Sequence, residues 1–128
     1  MQTLPNGVTV FNATPHEITF WDENWADVVV VAPDTVINAI PTERPITCMQ
    51  VGNTDWENVW FVKTVFLPND AGFATIAHAY EMGADVIIGS IIAAQAYPEK
   101  VVAMIPCVGF ERVVPTEKRM RPDKFTVF

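Results

Sequence analysis

Residues 85–97, D-V-I-I-G-S-I-I-A-A-Q-A-Y, decide how this chain folds. Within them V-I-I-G-S-I-I-A-A is the longest nearly continuous apolar run, far short of the ~20 residues that a membrane span requires. Gly89 and Ser90 divide it. The β-branched D-V-I-I before them reads as a buried strand. The I-I-A-A-Q-A-Y after them reads as a short helix that must end before Pro98. One strand feeding directly into one short helix predicts an α+β domain rather than a helical bundle or an all-β sandwich.

Working outward, Val8 to Phe11 and Glu17 to Trp21 read as strands joined through a Thr14-Pro15-His16 corner, which is expected to be a hairpin. A-D-V-V-V-V-A-P is expected to be a strand buried on both faces and stopped by Pro33, and T-V-I-N-A-I-P a further short strand. P-I-T-C-M-Q-V and V-W-F-V-K-T-V-F-L-P read as a hairpin around the polar loop G-N-T-D-W-E-N. Both faces of its second arm are largely apolar, so that arm is either central or meets another subunit. Asp70 is the expected N-cap of a helix over A-G-F-A-T-I-A-H-A-Y-E-M, with Phe73, Ile76, Ala77 and Tyr80 on one face and Gly83 as its stop. V-V-A-M-I-P reads as a buried strand and F-T-V-F as a closing edge strand. The fold class is therefore α+β: a single domain over residues 1–128, a mixed but mostly antiparallel sheet, and one or two short helices.

The bulk properties agree. With 128 residues, half of them apolar and 18% charged, the chain can bury one real core and is not disordered. The net charge of −7 argues against duplex nucleic acid as a partner. That charge is unevenly spread. Residues 1–110 carry three basic and twelve acidic groups, whereas residues 111–128 carry five basic and three acidic. Side chains able to bind an anion are thus expected in the last eighteen residues, with Arg112, Arg119 and Arg121 foremost, since guanidinium groups clamp phosphate bidentately. The same tail, T-E-K-R-M-R-P-D-K, reads by default as a solvated basic turn. The start M-Q-T-L-P-N-G has neither a basic nor an apolar leader region, so a soluble intracellular protein is expected.

Catalysis finds little support. G-x-G-x-x-G, the P-loop and G-x-S-x-G are all missing from the sequence. Cys48 and Cys107 read as buried reduced thiols, and His16 and His78 have no metal-ligand spacing. Asp22-Glu23 and Asp55-Glu57 read as solvated loop carboxylates. No catalytic residue, metal or cofactor is expected. The Gly89-Ser90 corner can offer free backbone N–H groups to an anion, or Ser90 can simply cap its own helix, the commoner case. His16 can line a cleft. Trp25 and Trp56 lie in polar surroundings, where an indole marks either an interface or a loop folded over the sheet. Trp60 and Trp21 are expected to be absorbed by the core.

The opening N-A-T-P-H-E-I and the later V-I-I-G-S-I-I-A-A-Q-A, followed by I-P-C-V-G-F-E-R, resemble small phage and prophage proteins that begin N-L-T-P-H and carry an S-x-x-A-Q-A-like helix. The resemblance covers about half of the chain, and residues 68–84 depart from it. It implies viral origin and action in the host cytoplasm, without a catalytic residue to carry over. The expectation is a small anti-defence accessory protein that sequesters an anionic, nucleotide-like ligand or blocks a host protein, and that forms a homo-oligomer. A minor virion or assembly protein and, less favoured, a small hydrolase using His16 or Ser90 are the alternatives.

Overall fold

The computed structural model describes residues 1–45 and 60–128. In chain order its elements are β1 (Gln2–Thr3), β2 (Thr9–Asn12), β3 (Ile18–Phe20), β4 (Val29–Val31), β5 (Ile40–Pro45), β6 (Val62–Leu67), α1 (Asp70–Glu81), β7 (Val86–Ile88), α2 (Ile91–Ala96), β8 (Ala103–Pro106) and β9 (Met120–Thr126), with a 3-10 turn at Pro115–Glu117 before β9. The fold is α+β, as the sequence requires. Its strands are shared among three sheets rather than one: β1-β2-β7, β4-β3-β9-β8 and β5-β6. Among the described residues, no helix is long and apolar enough to cross a membrane.

The parallel pair β2 and β7 forms the middle layer. Val10 lies opposite Val86, Phe11 opposite Ile87 and Asn12 opposite Ile88. Phe11 and Ile87 pack into a core shared with Ile76 and Ala79 of α1, and with Ala93, Ala94 and Ala96 of α2. Val10 and Ile88 pack into a second core with Ile18, Phe20 and Val31 of the four-stranded sheet. Successive strand residues point to opposite faces, so a strand covered on both sides must be apolar throughout. This is why V-I-I carries no polar break. A parallel bridge between Ile88 and Val102 ties the two sheets together.

The Thr14-Pro15-His16 corner is not a hairpin. β2 and β3 belong to different sheets, and the corner carries the chain from one to the other. Asn12, fully buried, organises it. Its Nδ2 donates to the carbonyls of His16 (2.8 Å) and Val31 (3.2 Å), and its Oδ1 accepts from the N–H (3.0 Å) and hydroxyl (2.7 Å) of Thr14. A buried amide with every bond made costs little to keep and much to lose. The spelling N-x-T therefore encodes a structural bracket.

Helix α1 begins one residue earlier than expected. Asn69, not Asp70, is the N-cap, its Oδ1 accepting from the Gly72 N–H at 2.8 Å. The C-terminal end is as expected. Gly83 (φ +98°) donates to the Tyr80 carbonyl and Ala84 to that of Ala79, a Schellman motif. The buried face carries Gly72, Ile76 and Ala79, rather than Phe73, Ala77 and Tyr80. The rotation follows from Tyr97, a fully buried side chain whose hydroxyl accepts from Asn69 N–H at 2.9 Å. Only a glycine leaves room for that phenol under the first turn of α1, while Phe73 packs edge-on at its rim, with ring centroids 5.1 Å apart.

Four further expectations change. β4 is a three-residue edge strand with Val30 facing solvent, so V-V-V-V is buried on one face only. Residues 35–39 form no strand; β5 starts where that strand was expected to end and pairs with β6 through Pro45 opposite Val62. The expected arm 45–51 and loop 52–58 lie almost wholly outside the described residues. β6 is not central: it and β5 make a two-stranded ribbon. Finally, the expected basic turn and edge strand merge into β9, a seven-residue strand between β3 and β8. Pro122 is tolerated inside it because β3 meets β9 only at Met120 and the pairing with β8 is irregular between Met104 and Pro106.

Candidate functional site

The ends of β3, β8 and β9 converge on Trp21. Its N–H donates to the Met120 carbonyl at 3.1 Å, and its own carbonyl accepts from the Cys107 thiol at 3.2 Å. Cys107 N–H in turn donates to the Arg119 carbonyl at 2.8 Å. The chain then reverses in C-V-G-F, where Phe110 N–H donates back to Cys107 and Gly109 takes φ +90°. That φ at the third position is the requirement of a type II turn, which glycine meets without strain.

This turn places Phe110 opposite Trp21, with ring centroids 6.4 Å apart and planes inclined at 57°. The guanidinium carbon of Arg119 lies 5.0 Å from each ring centroid. Each contact is worth on the order of 1 kcal/mol, and together they orient the cation. Beside it lies a hollow of about 450 Å³ walled by Thr19, Phe110, Thr116, Lys118 and Arg119, with Glu117 also at its lining. Among the described residues the ion pairs are the Met1 amino group with Asp34, and Arg121 with Asp123. Neither Arg119 nor Lys118 is in one of them.

A second cleft of about 220 Å³ is lined by Trp21, Asp22, Glu23, Cys107, Arg121 and Asp123. Here Arg121 is engaged. Its Nε and a terminal nitrogen bind both Asp123 oxygens at 3.0 and 2.9 Å. The hydrogen bond from Arg121 holds the Asp123 carboxyl below the ordinary carboxylate range, and the same bond raises Arg121. Burial pushes the Cys107 thiol up, against the opposing fields of Arg121 and Arg119. Three carboxylates against one paired guanidinium make this cleft a poor anion site.

The sequence-derived candidates are thus separated. Arg119 lies at the hollow, Arg121 in the acidic cleft, and Arg112 is exposed and lines neither. His16 is exposed, contributing its backbone to the Asn12 bracket. Trp25 packs half-buried on the second core, its N–H closing a turn onto Asp22. Trp56 falls outside the described residues. Ser90 caps α2, accepting from Ala93 N–H at 3.1 Å. Gly89 is there for packing, because a Cβ would come within 2.6 Å of Val101. The space beside Gly89 is thus taken by Val101 and Ala93, whereas Ser90 itself is exposed. Neither the stacking of Arg119 on Trp21 and Phe110 nor the place of Lys118 at the hollow is legible in the sequence; the signal for Phe110 is the glycine in C-V-G-F. Trp60, expected in the core, is 84% exposed.

Comparison of the chain with protein-family models, with curated proteins and with solved structures found no match in any of the three. Among the described residues no group of three or more His, Cys, Asp and Glu side chains is placed to hold a metal ion.

Proposed function

We propose that this chain is a non-catalytic binding protein that captures a small anionic, nucleotide-like ligand in the hollow beside Arg119. The observation that carries the reading is a guanidinium held between Trp21 and Phe110, outside every ion pair of the described residues, in a chain of net charge −7. Among the described residues only Arg121 of the eight Lys and Arg side chains is ion-paired, so what sets Arg119 apart is its fixed place against two rings beside an open hollow, and a cation held there favours an anionic ligand. Lys118 adds a second positive charge, and the Thr19 and Thr116 hydroxyls can donate to phosphate oxygens. The half-buried Phe110 at the lining suits a base or another flat group. In the phage setting that the sequence resembles, the ligand would be a host signalling nucleotide, sequestered in the infected cell.

The test is thermal stabilisation by a mononucleotide series and by inorganic phosphate, with native mass spectrometry of the gently purified protein. A ligand at a hundred times its Kd stabilises by about 2.7 kcal/mol. For a domain of this size that raises Tm by roughly 10 °C. Arg119→Ala should remove the shift and Arg112→Ala should keep it. An equal shift in both variants would place the ligand elsewhere; no shift with any probe, and no bound mass, would count against capture altogether.

A further inference from the structure

The hollow beside Arg119 holds one group that an anion alone does not require. The consecutive residues Thr116, Glu117, Lys118 and Arg119 all line it, and one of them is a carboxylate. The backbone fixes the place of Glu117. Pro115 opens the 3-10 turn Pro115–Glu117, and the Glu117 N–H donates to the Val114 carbonyl at 2.9 Å. Lys118 and Arg119 follow directly in the chain, yet among the described residues the Glu117 carboxylate forms an ion pair with neither. A negative charge beside a phosphate site costs affinity, unless it meets a hydrogen-bond donor on the same ligand.

Donors and acceptors divide the hollow. Arg119, Lys118 and the hydroxyls of Thr19 and Thr116 can donate, whereas an ionised Glu117 only accepts. Stacking against Trp21 and Phe110 occupies a face of the Arg119 guanidinium and leaves its in-plane N–H groups for the anion. The complementary ligand is anionic at one end and carries N–H donors at the other, with a flat group for Phe110.

Base chemistry then discriminates. A carboxylate has two oxygens in one plane and binds a pair of parallel N–H groups best, as it does in the fork of a guanidinium. Guanine presents such a pair, N1–H beside its 2-amino group. Adenine and cytosine each offer an amino N–H next to a ring-nitrogen lone pair, which would face the second carboxylate oxygen. Uracil sets its N3–H between two carbonyl oxygens. Guanine alone satisfies both carboxylate oxygens without repulsion.

We infer, on the basis of the anion capture proposed above, that the ligand of this hollow is a guanine nucleotide. Its phosphate lies on Arg119 and Lys118, its base lies against Phe110, and Glu117 accepts from N1–H and the 2-amino group. Glu117 thus selects the base, whereas the two cations hold any phosphate.

The experiment is isothermal titration calorimetry of the full chain with GMP, IMP, AMP, UMP and inorganic phosphate. GMP should bind about tenfold or more tighter than AMP or UMP, the discrimination that a good bidentate pair supplies. IMP, which keeps N1–H but lacks the amino group, should fall between. Glu117→Gln should bring GMP to the level of AMP and tighten inorganic phosphate, since a like charge has gone. Glu117 is exposed, and far-UV circular dichroism checks that the variant folds; the base series on the parent chain needs no variant. Equal affinity for all the nucleotides, or a preference for AMP or UMP, overturns the inference and leaves anion capture standing. A GMP preference that survives Glu117→Gln does the same, as does binding of phosphate without any nucleotide. If neither phosphate nor a nucleotide binds, capture and base selection fall together.

Discussion

Replacing Gly72 by alanine tests how α1 is seated. Helix propensity alone favours the change by about 1 kcal/mol, so a glycine that merely occupied a helical position would be improved by it. The structure reverses the sign. An added Cβ would lie 1.9 Å from the Tyr97 hydroxyl oxygen and 2.4 Å from its ring carbon Cζ, far inside van der Waals contact. Tyr97 is 1% exposed and cannot swing into solvent, so ring and helix must separate. Overpacking of this kind costs roughly 1–3 kcal/mol. The movement also breaks the 2.9 Å bond from Asn69 N–H to the phenol, and a buried partner left unmade costs about 1–3 kcal/mol more. After the propensity gain, a net loss of about 1–5 kcal/mol is expected, with a mid-range value of about 3 that lowers Tm by roughly 10 °C. Calorimetry or urea unfolding at fixed protein concentration measures it. In a double-mutant cycle Tyr97→Phe removes the nearest clashing atom, so the pair should be less than additive by about 1 kcal/mol. A Gly72→Ala variant as stable as the parent, or more stable, would refute the packing argument.

Asn12→Ala should destabilise by about 2–4 kcal/mol, because it strands the His16 and Val31 carbonyls and the Thr14 amide together; urea midpoints decide it. Glu99 is the one non-glycine residue at positive φ (66°) among those described, so Glu99→Gly should raise stability by about 0.5–1 kcal/mol, and a fall would show that this conformation is not strained. Cys107 is predicted to be inert. Its thiol pKa is raised in the fold by burial, so the folded state holds its proton longer than the unfolded one. Stability should therefore decline as pH rises above the ordinary thiol pKa, and should be unaffected by this group below it. In a Cys48→Ser background, iodoacetamide should alkylate the native protein at pH 8 much more slowly than the denatured one; equal rates would contradict burial.

By itself the sequence determined what acts over a few residues. The change of hydrophobic period at Gly89-Ser90, the Ser90 cap and the Gly83 stop are all local, and each is where the residues place it. Apolar strands, two short helices and the length for one core are also enough to make the chain an α+β domain. The tertiary structure decided which strands meet. Asn6 binds Pro122 across 116 residues and Cys107 binds Trp21 across 86, and no local propensity encodes such partners. T-E-K-R-M-R-P-D-K reads as a solvated turn, with a proline that argues against a strand, and only F-T-V-F as a strand, yet contacts with β3 and β8 draw Met120–Thr126 into one strand. The same is true of the site. Arg119 was one of three plausible arginines in the basic tail. Only the meeting of β3, β8 and β9 set it between two aromatic rings, gave Arg121 to Asp123 and left Arg112 in solvent. Glycine shows the difference most sharply. Gly83 is legible because its φ is a local demand, whereas Gly72 and Gly89 are required by Tyr97 and Val101, which reach them only once the helices and sheets have packed.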